Sequence, residues 1–396
     1  MDFELSDDQV ALRDAAAALL EGRCPSTRVR EVAGSERHLD AELWEAMAAQ
    51  GWPAVERPAH DGGLGLGMVE VAVLCEQLGR HLAPVPFVGT VLAHGALAAA
   101  AAPGGDAGDA ADGAEAGDTT GVAAGGVSGL GDVDMAGWAR RLAAGDARGA
   151  LAWSSRDDAV LAERRAGTGW RLTGRTDPVV FGPDAEVVVV FARASGVPAV
   201  FALAQPDSAR PAPQPAMDRT RSLARLELDD APATRLGGPV AAEALLDRAA
   251  TAVSAEMLGA ASRVLEMTVQ YAKDRVQFGR PIGGFQAVKH RCADMLVDVE
   301  GMRSAAYYAA WAVGAGDPEA SSAAAAAKVW CSDAARRVMA SGLQVHGGIG
   351  FTWEHDLHLF LKRSQLDQVS FGTAAHHRER LARILRPRAE AGEPVL

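Results

Sequence analysis

The hydrophobic positions of the first hundred residues recur every three to four places, which is the spacing of an amphipathic helix. Val10, Ala16 and Leu20 would share one face of such a helix, and the segment SDDQ at 6–9 fits a capping box at its start. A second helix is predicted near 41–50. A third, rich in valine and leucine, follows the glycine-rich turn HDGGLGLG. The N-terminal part of the chain is therefore predicted to be helical.

The pattern changes after residue 150. Runs such as AEVVVVFA and ARLELDD are rich in β-branched residues and are separated by Gly, Pro, Ser and Asp, which predicts short strands. A small antiparallel sheet or barrel fits these runs best. Helical spacing returns between 240 and 386, with Val253, Met257 and Ala261 on one predicted face. Long helices with small-residue faces suit close packing within a bundle and between bundles.

These changes of pattern predict three domains. They are an N-terminal all-α domain at 1–148, a middle antiparallel β domain at 149–237 and a C-terminal helical domain at 238–396. The predicted fold class is α+β. Residues 103–132 are mainly Ala, Gly and Asp and contain no aromatic residue. Because this composition buries too little apolar surface to offset the entropy of ordering, it predicts a mobile surface insertion.

Composition and charge narrow the classes of function. Of the 396 residues, 48% are hydrophobic and 23% are charged, as in soluble globular proteins. The net charge of −12 repels phosphate, so nucleic acid is not an expected partner. The N-terminus lacks the basic and apolar regions of a secretory signal, and no apolar run is long enough to cross a bilayer. A cytoplasmic location without membrane contact is therefore predicted.

The cysteines give no sign of a cross-linked or metal-bound protein. They are scattered along the chain without a C-x-x-C motif, and are Cys24, Cys75, Cys292 and Cys331. This pattern predicts reduced, partly buried thiols and no metal site.

The end of one long predicted helix carries an unusual group of side chains. In YAKDRVQFGRP, Arg275, Gln277 and Phe278 precede Gly279 and Pro281. One interpretation is structural: arginine complements the helix dipole, glycine ends the helix and proline prevents its continuation. The other interpretation is functional: a guanidinium binds a phosphate or pyrophosphate, beside an aromatic ring that contacts a flat heterocycle.

A second candidate segment is LQVHGGIGFTWEHDL at 343–357, in which Gln344 is followed by Gly347 and Gly348. Glycines after a helix let a ligand approach the backbone and expose N–H donors. The simpler interpretation is a helix–loop junction with left-handed glycines. Since both segments fall in the predicted C-terminal domain, together they favour an anionic planar ligand.

In this order the two motifs resemble those of the acyl-CoA dehydrogenase family. The resemblance includes MDFELSDDQVALRD at the start and GWRLTGRTDPVVFGPDAEVVVVFAR in the β region, so it extends along nearly the whole chain except 103–132. It implies an acyl-CoA dehydrogenase-like fold, with an N-terminal helical domain, a middle β domain and a C-terminal four-helix bundle. It also implies FAD, usually bound across the subunit interface of a dimer or tetramer.

The resemblance further implies which residues bind the cofactor. Arg275 would reach the FAD pyrophosphate of the neighbouring subunit, with Gln277 and Phe278 beside the same cofactor. The other implied cofactor-binding residues are Gln286, Gln344, Gly347, Gly348 and Thr373. The implied reaction is α,β-desaturation of an acyl thioester on coenzyme A or a carrier protein, in which a carboxylate removes the α-proton. Electron-transfer flavoprotein is the acceptor that the resemblance implies.

The chain departs from the family at the catalytic base. Most members carry a Tyr-Glu-Gly-Thr segment, whereas here Ser370 and Phe371 precede Gly-Thr, and phenylalanine cannot accept a proton. Some relatives place the base on the helix upstream of the arginine motif, where this chain has Ala249 with Ala250 beside it. The nearby Asp247 matches an aspartate of some relatives and is expected to be structural or on the substrate side.

A second departure lies in the β region. The family segment that lines the flavin from the same subunit is replaced by ALAWSSRDDAVLAERR, in which Trp153, Ser154 or Ser155 could contact the flavin ring.

Three interpretations stay open at this point. In the first, the chain is one half of a heteromeric dehydrogenase and completes the flavin site of a catalytic partner subunit. In the second, it is a complete homo-oligomeric enzyme with an unusual base, such as Asp367, His376 or His377. In the third, it is a non-catalytic scaffold that binds flavin or acyl groups. The first is motivated by an unequal pattern, since the residues that serve the neighbour's FAD are kept, whereas those on the chain's own substrate side are altered.

Overall fold

A computed structural model describes residues 4–102, 134–167, 169–204 and 209–394 of the chain. The insertion predicted at 103–132 lies outside these residues. The chain forms two compact units. The first consists of Met1–Val88, Pro215–Ser222 and Ala244–Leu396, and the second of Gly89–Gln214 and Leu223–Glu243. The three domain boundaries drawn from the sequence stay a prediction.

The described residues contain α1 (Asp7–Arg23), α2 (Ser26–Gly34), α3 (Ala41–Ala49), α4 (Met68–His81), α5 (Phe87–Ala101), α6 (Met135–Ala144), α7 (Pro239–Asp274), α8 (Gln286–Ala315), α9 (Ala320–His346), α10 (Leu357–Val369) and α11 (Ala374–Ala391). The strands are β1 (Gly149–Ala152), β2 (Val160–Arg165), β3 (Gly169–Arg175), β4 (Val179–Val180), β5 (Val187–Ala194), β6 (Val197–Ala204), β7 (Ala209–Pro213), β8 (Leu223–Gly237), β9 (Val276–Gln277) and β10 (Arg280–Pro281). This arrangement confirms the α+β class.

The first helix begins as its sequence predicts. The Ser6 hydroxyl accepts a hydrogen bond from the Gln9 backbone N–H at 3.3 Å, and the Gln9 side chain accepts one from the Ser6 N–H at 3.0 Å. Ala16 and Leu20 are buried on its inner face. The helices predicted near 41–50 and after the glycine-rich turn are α3 and α4. The sequence reading missed α2, which buries only two apolar side chains and starts after a proline.

Helices α4 and α7 touch at reciprocal glycines. A β-carbon on Gly259 would overlap the carbonyl oxygen of Glu76, and one on Gly79 would overlap that of Glu256. Neither position tolerates a side chain, because the obstacle is the backbone of the facing helix rather than a movable group. These glycines therefore bring the centres of α4 and α7 into direct backbone contact.

The C-terminal helices follow the predicted spacing. On α8, Met295, Val299, Met302 and Ala306 are buried along one face. Helix α9 buries its alanine run, and α11 continues through Pro387 to Ala391, five residues beyond the predicted end. Helix α10 was not predicted, because its inner face is partly polar. No helix in the described residues combines the length and apolar character needed to span a bilayer.

The second unit contains the sheet. Its pairings form a ring in the order β5–β2–β3–β8–β6 and back to β5. Most pairs are antiparallel, but β1 and β2 both run parallel to β5, which corrects the expectation of a wholly antiparallel domain. The reason lies in the connection between the strands. Strands β1 and β2 follow one another along the same edge of β5, and β3 and β4, which come between β2 and β5 in the chain, allow β5 to run in the same direction as β1 and β2. The ring of Trp170 packs 5.3 Å from that of Phe201 in the core.

Candidate cofactor and substrate site

The arginine motif forms an exposed hairpin at the end of α7. Strands β9 and β10 pair antiparallel, with Gln277 opposite Arg280, and the turn between them consists of Phe278 and Gly279, both with positive φ. Such a two-residue turn matches the twist of the flanking strands. Phe278 is 92% exposed at the tip. A large aromatic side chain in this position is available to a ligand or a neighbouring subunit.

Arg275 sits at the base of this hairpin and its backbone is fixed. Its N–H donates to the Tyr271 carbonyl, and its own carbonyl accepts from the Ile282 N–H at 2.8 Å. The side chain is exposed, and no carboxylate of the described residues lies within ion-pair distance of its guanidinium. No ion pair with an acid of the described chain therefore occupies Arg275, and its guanidinium is available to a ligand.

The glycine motif follows the end of α9. Gly347 has φ 65° and ψ −144°, a conformation that favours glycine, and it ends the helix. A β-carbon on Gly347 or Gly348 would meet nothing within 4 Å, whereas one on Gly350 would press on His346 and Leu357. The first two glycines therefore line open space, and the third serves packing. Gln344 is exposed on the preceding turn.

The fold brings these two motifs together. The ring of Tyr271, one turn before Arg275, stacks on that of His346, which directly precedes Gly347, with 4.5 Å between centroids. His346 is itself fixed by a hydrogen bond from its ring Nδ1 to the Gly342 carbonyl at 2.8 Å, and burial lowers its pKa. An exposed arginine, an exposed aromatic ring and an uncrowded glycine backbone thus share one surface, which fits an anionic planar ligand such as a flavin dinucleotide.

Gln277 and Gln286 belong to the same segment, and their side chains differ in whether they are hydrogen-bonded. The Gln277 amide donates to its own neighbour, the Val276 carbonyl, at 2.7 Å. Gln286 is exposed as the first residue of α8, and the preceding Phe285 provides no side-chain cap for that helix. The ring of Phe285 packs edge-on against that of Phe278 at 6.0 Å.

The segment that replaces the family's base follows α10. Phe371 has φ 56°, an unusual value for a residue with a bulky side chain, and Gly372 has φ 104°. Thr373 then caps α11, because its hydroxyl accepts from the His376 N–H at 3.3 Å. The Phe371 N–H makes no hydrogen bond within the described residues. It is therefore a backbone donor without an intramolecular partner.

On one chain the two parts of the site lie far apart. The side chain of Lys328 on α9 reaches the carbonyls of Asp367 and Gln368, just before Phe371, at 3.0 Å each. Lys328 precedes His346 by 18 residues on the same helix, which corresponds to about 27 Å. The arginine–glycine surface and the Phe371 segment thus serve opposite ends of the bundle.

Two of the three proposed bases are occupied by structural contacts. Asp367 is fully buried and accepts from the Arg221 guanidinium at 2.9 Å; burial and the Glu256 carboxylate raise its pKa to about 7. His377 is also fully buried, and its Nε2 lies 2.8 Å from the Phe371 carbonyl. Burial lowers the pKa of His377 to about 3. The neutral ring therefore donates through Nε2–H, so that nitrogen cannot also take a proton.

His376 stays a prediction as a base. Its ring is half-buried and packs edge-on against that of His377, 5.2 Å away.

The carboxylate predicted near the substrate is tied into the bundle. Asp247 on α7 is buried, forms an ion pair with Arg380 of α11 at 2.6 Å, and accepts from the Ser321 hydroxyl of α9 at 2.6 Å. This favours the structural alternative for Asp247, and its substrate role stays a prediction. Ala249 and Ala250 are fully buried.

Sequence reasoning missed a buried ion cluster in the helical unit. Arg363 of α10 pairs with Asp218 at 2.8 Å and with Glu256 of α7 at 2.9 Å. Arg221 pairs with Glu256 and Asp367. The cluster ties Pro215–Ser222 to α7 and α10. The only signal in the sequence was the group of one aspartate and two arginines in MDRTRS at 217–222, which is also typical of an exposed loop.

The candidates in the β unit are engaged locally. The Ser155 hydroxyl and N–H both donate to Asp177 at 2.9 Å, and the Asp177 N–H donates to the Ser154 hydroxyl at 2.9 Å. Their predicted contact with a flavin ring stays a prediction, as does that of Trp153. Among the described residues, no three His, Cys, Asp or Glu side chains group as metal ligands.

The neutral state of His377 predicts an acid-dependent loss of stability. Because its pKa is depressed from 6.5 to about 3, the unfolded chain binds a proton that the folded chain does not between these values. The stability that the neutral His377 contributes is fully present above pH 6.5 and is lost as the pH falls below that value. When the pH falls from 7 to 5, the free energy of unfolding should decrease in both proteins. The decrease should be about 2 kcal/mol smaller in His377→Gln than in the wild type.

Urea unfolding at the two pH values measures this difference. His60→Gln is the control, since the His60 side chain is 81% exposed. Equal acid dependence in His377→Gln and the wild type would contradict a neutral, buried His377.

Comparison with known proteins decides the family. Sequence models of the acyl-CoA dehydrogenase N-terminal and C-terminal domains match 6–105 and 237–385. The chain is also 34% identical over 360 residues to acyl-CoA dehydrogenase IpdE2 of Mycobacterium tuberculosis, covering 90% of this chain and 91% of that protein. The chain belongs to the acyl-CoA dehydrogenase family. The predicted family and its FAD-dependent, acyl-CoA-directed oxidoreductase class are thereby confirmed.

Two solved structures share this acyl-CoA dehydrogenase fold over almost the full chain. One is the ChsE4-ChsE5 complex from Mycobacterium tuberculosis, with a TM-score of 0.84 and 30% identity over 98% of this chain and 99% of that one. The other is the Tcur3481-Tcur3483 steroid ACAD, with a TM-score of 0.83 and 29% identity over 97% of this chain and 99% of that one.

Proposed function

We propose that this acyl-CoA dehydrogenase is one subunit of a heteromeric enzyme that desaturates an acyl-CoA thioester at the α,β position. In this assembly its arginine–glycine surface completes the FAD site of a partner subunit, and the partner supplies the catalytic carboxylate. The observation that carries the proposal is the unequal state of the two ends of the bundle. Arg275 is exposed and has no acidic partner among the residues that the structure describes, whereas neither Phe371 nor Ala249 offers a base.

The roles of the chain's residues follow from their chemistry. Arg275 would bind the pyrophosphate through charge-assisted hydrogen bonds, and Phe278 would cover a flat ring of the dinucleotide. The backbone at Gly347 and Gly348 would let the dinucleotide approach without steric hindrance, because a β-carbon at either position would meet nothing within 4 Å, with Gln344 beside them. FAD supplies the hydride acceptor of the desaturation. Because this surface and the Phe371 segment lie about 27 Å apart along α9, one FAD site would need both ends from different subunits.

The Phe371 segment keeps part of a substrate site. The thioester carbonyl becomes more negative as the α-proton leaves, so a fixed N–H donor stabilises it. The Phe371 N–H has no partner in the described part of the chain, and this donor does not depend on the side chain. The chain would thus polarise a thioester on its own side and yet lack the base needed to remove the proton.

The solved structures that this chain resembles support a proposed partner and substrate. The likeness to a complex of two named chains, ChsE4-ChsE5, supports a related dehydrogenase as the partner. The likeness to a steroid ACAD makes a bulky polycyclic acyl-CoA the first substrate to test. Electron-transfer flavoprotein is the proposed acceptor, a homo-oligomer is the competing assembly, and a carrier-protein thioester is the competing substrate form.

Purification alone and with a partner tests the proposal. We expect a mixture with a related dehydrogenase chain that carries the catalytic glutamate to hold FAD and to show bleaching of the flavin by acyl-CoA under anaerobic conditions. Changing that glutamate to glutamine should keep the flavin bound and stop the bleaching. A homo-oligomer of this chain whose flavin is bleached by acyl-CoA would overturn the heteromeric assignment, and loss of that bleaching in His376→Leu would identify His376 as the base.

A further inference from the structure

A completely buried lysine lies beside the segment that replaces the family's base. The side chain of Lys328 on α9 has no solvent exposure. Its ammonium donates to the carbonyls of Asp367 and Gln368 at 3.0 Å each and to the Ser332 hydroxyl at 3.4 Å. These two carbonyls belong to the last turn of α10, where helix carbonyls lack intrahelical partners. Lys328 therefore caps the end of α10 from within the protein.

The other side of the segment is held by His377 of α11. Its ring donates to the Phe371 carbonyl at 2.8 Å. A β-carbon on Gly372 would lie 2.8 Å from the same ring nitrogen, so the histidine packs directly on the backbone of the turn. The Ser370 N–H and hydroxyl both bond to the Leu366 carbonyl. The backbone from α10 to α11 is thus held at consecutive points.

This segment contains strain that needs such support. Phe371 has a positive φ of 56°, which costs a residue with a side chain of the order of 1 kcal/mol or more and persists only where the surroundings enforce it. The conformation leaves the Phe371 N–H without a partner in the described chain. A buried ammonium is itself expensive to desolvate, so a simple packing role would be filled more cheaply by methionine or leucine.

We propose that Lys328 and His377 are positioning residues that clamp the backbone between Asp367 and Phe371, so that the Phe371 N–H is presented to an acyl thioester carbonyl. The clamp itself is argued from the contacts above, whereas the identity of the ligand rests on the proposed function. Lys328 suits this task because a cation complements the negative end of α10 and offers three donors to three acceptors. His377 acts as a neutral donor at the opposite end.

The charge states of Lys328 and His377 agree with their proposed positioning roles. The groups that act on Lys328 are the carboxylate of Asp367 on α10 and the thiol of Cys331 on its own helix, and burial lowers its pKa to about 8. Burial is the main cause that lowers the pKa of His377, and the charges of Lys328, His376 and Arg380 lower it further. At neutral pH the lysine is charged and the histidine is not, so the two clamps do not repel one another.

Hydrogen exchange and ligand titration test the clamp separately. In Lys328→Met, exchange of backbone amides between 366 and 373 should accelerate about 10-fold or more relative to the wild type. In the holo-protein, assembled with its partner if FAD requires one, the octanoyl-CoA affinity of the site that does not bleach flavin should fall about 10-fold, while its affinity for free coenzyme A stays constant. Lys362→Met, on the exposed side of α10 over Trp353, is the matched control and should change neither quantity.

The histidine provides a second test that does not depend on the folding of the lysine variant. His377→Gln keeps an N–H donor at nearly the same place, whereas His377→Leu removes it. We expect local exchange and octanoyl-CoA affinity close to the wild type in the first and the Lys328→Met behaviour in the second.

Equal exchange in all variants would overturn the clamp. Faster exchange with an unchanged ratio of octanoyl-CoA to coenzyme A affinity would overturn the presentation of the N–H to a thioester. If the site of the wild-type assembly that does not bleach flavin binds coenzyme A and octanoyl-CoA equally, the thioester site of the proposed function fails, while the exchange data still decide the clamp.

Discussion

Arg275→Gln is expected to weaken FAD binding about 10- to 100-fold while leaving the fold intact. A guanidinium–phosphate hydrogen bond contributes roughly 1.5–3 kcal/mol, which corresponds to this change in the dissociation constant. The folded chain itself should lose little, because the Arg275 side chain is exposed and has no acidic partner within the described residues. FAD titration of the assembled enzyme, followed by flavin fluorescence, measures the first effect, and thermal unfolding of the chain measures the second.

The same experiment assigns the residue to a subunit boundary. When the variant is mixed with a wild-type partner, the site that loses FAD should be the one that contains the partner's base, and flavin bleaching should fall with it. Arg336→Gln is the charge control, since that arginine is 71% exposed on α9 and pairs only with Asp333 among the described residues. Unchanged FAD affinity in Arg275→Gln would remove the main support for a cofactor surface at the hairpin.

Gly259→Ala should cost more stability than any other substitution considered for this chain. The added methyl group would overlap the Glu76 carbonyl of α4, and neither helix can move without disturbing its own packed face. Overpacking of a well-packed core usually costs 1–3 kcal/mol, and a backbone obstacle places this case at or above about 3 kcal/mol. Urea unfolding and the apparent melting temperature should both show the loss.

Gly22→Ala provides the comparison for this test. Gly22 lies within α1, and a β-carbon there would meet nothing within 4 Å. Alanine favours helix over glycine by up to about 1 kcal/mol, so this variant should be as stable as the wild type or slightly more stable. A melting temperature for Gly259→Ala within about 1 °C of the wild type would show that α4 and α7 can separate, contrary to the contact described here.

The two ends of the helical bundle differ in the side chains that they present. At the hairpin, Arg275 and Phe278 face outward, as the proposed cofactor role requires. At the α10–α11 turn, the side chain that would do acid–base work is absent, yet the turn keeps its strained backbone and its two supports, Lys328 and His377.

The sequence by itself determined the elements with strong local signals, and it predicted two cofactor motifs whose role stays a proposal. The capping box of α1, the buried face of α8 and the class of the β region follow from spacing, because local hydrogen bonding and one-sided burial impose their own periods. The segment from Arg275 to Phe278 was also predicted as a cofactor motif from its residue types in consecutive positions, and the structure shows it on an exposed hairpin.

Only the tertiary structure decided how distant polar residues are used. Lys328, His377 and the Arg363 cluster give no periodic signal, and Asp367 could be proposed as a base only as long as its partner Arg221 was unknown. The parallel placement of β1 and β2 on β5 likewise depends on a crossover that strand patterns do not encode. A buried charge is defined by the partner that compensates it, and that partner lies far away in sequence, so its role is fixed by packing rather than by the local pattern.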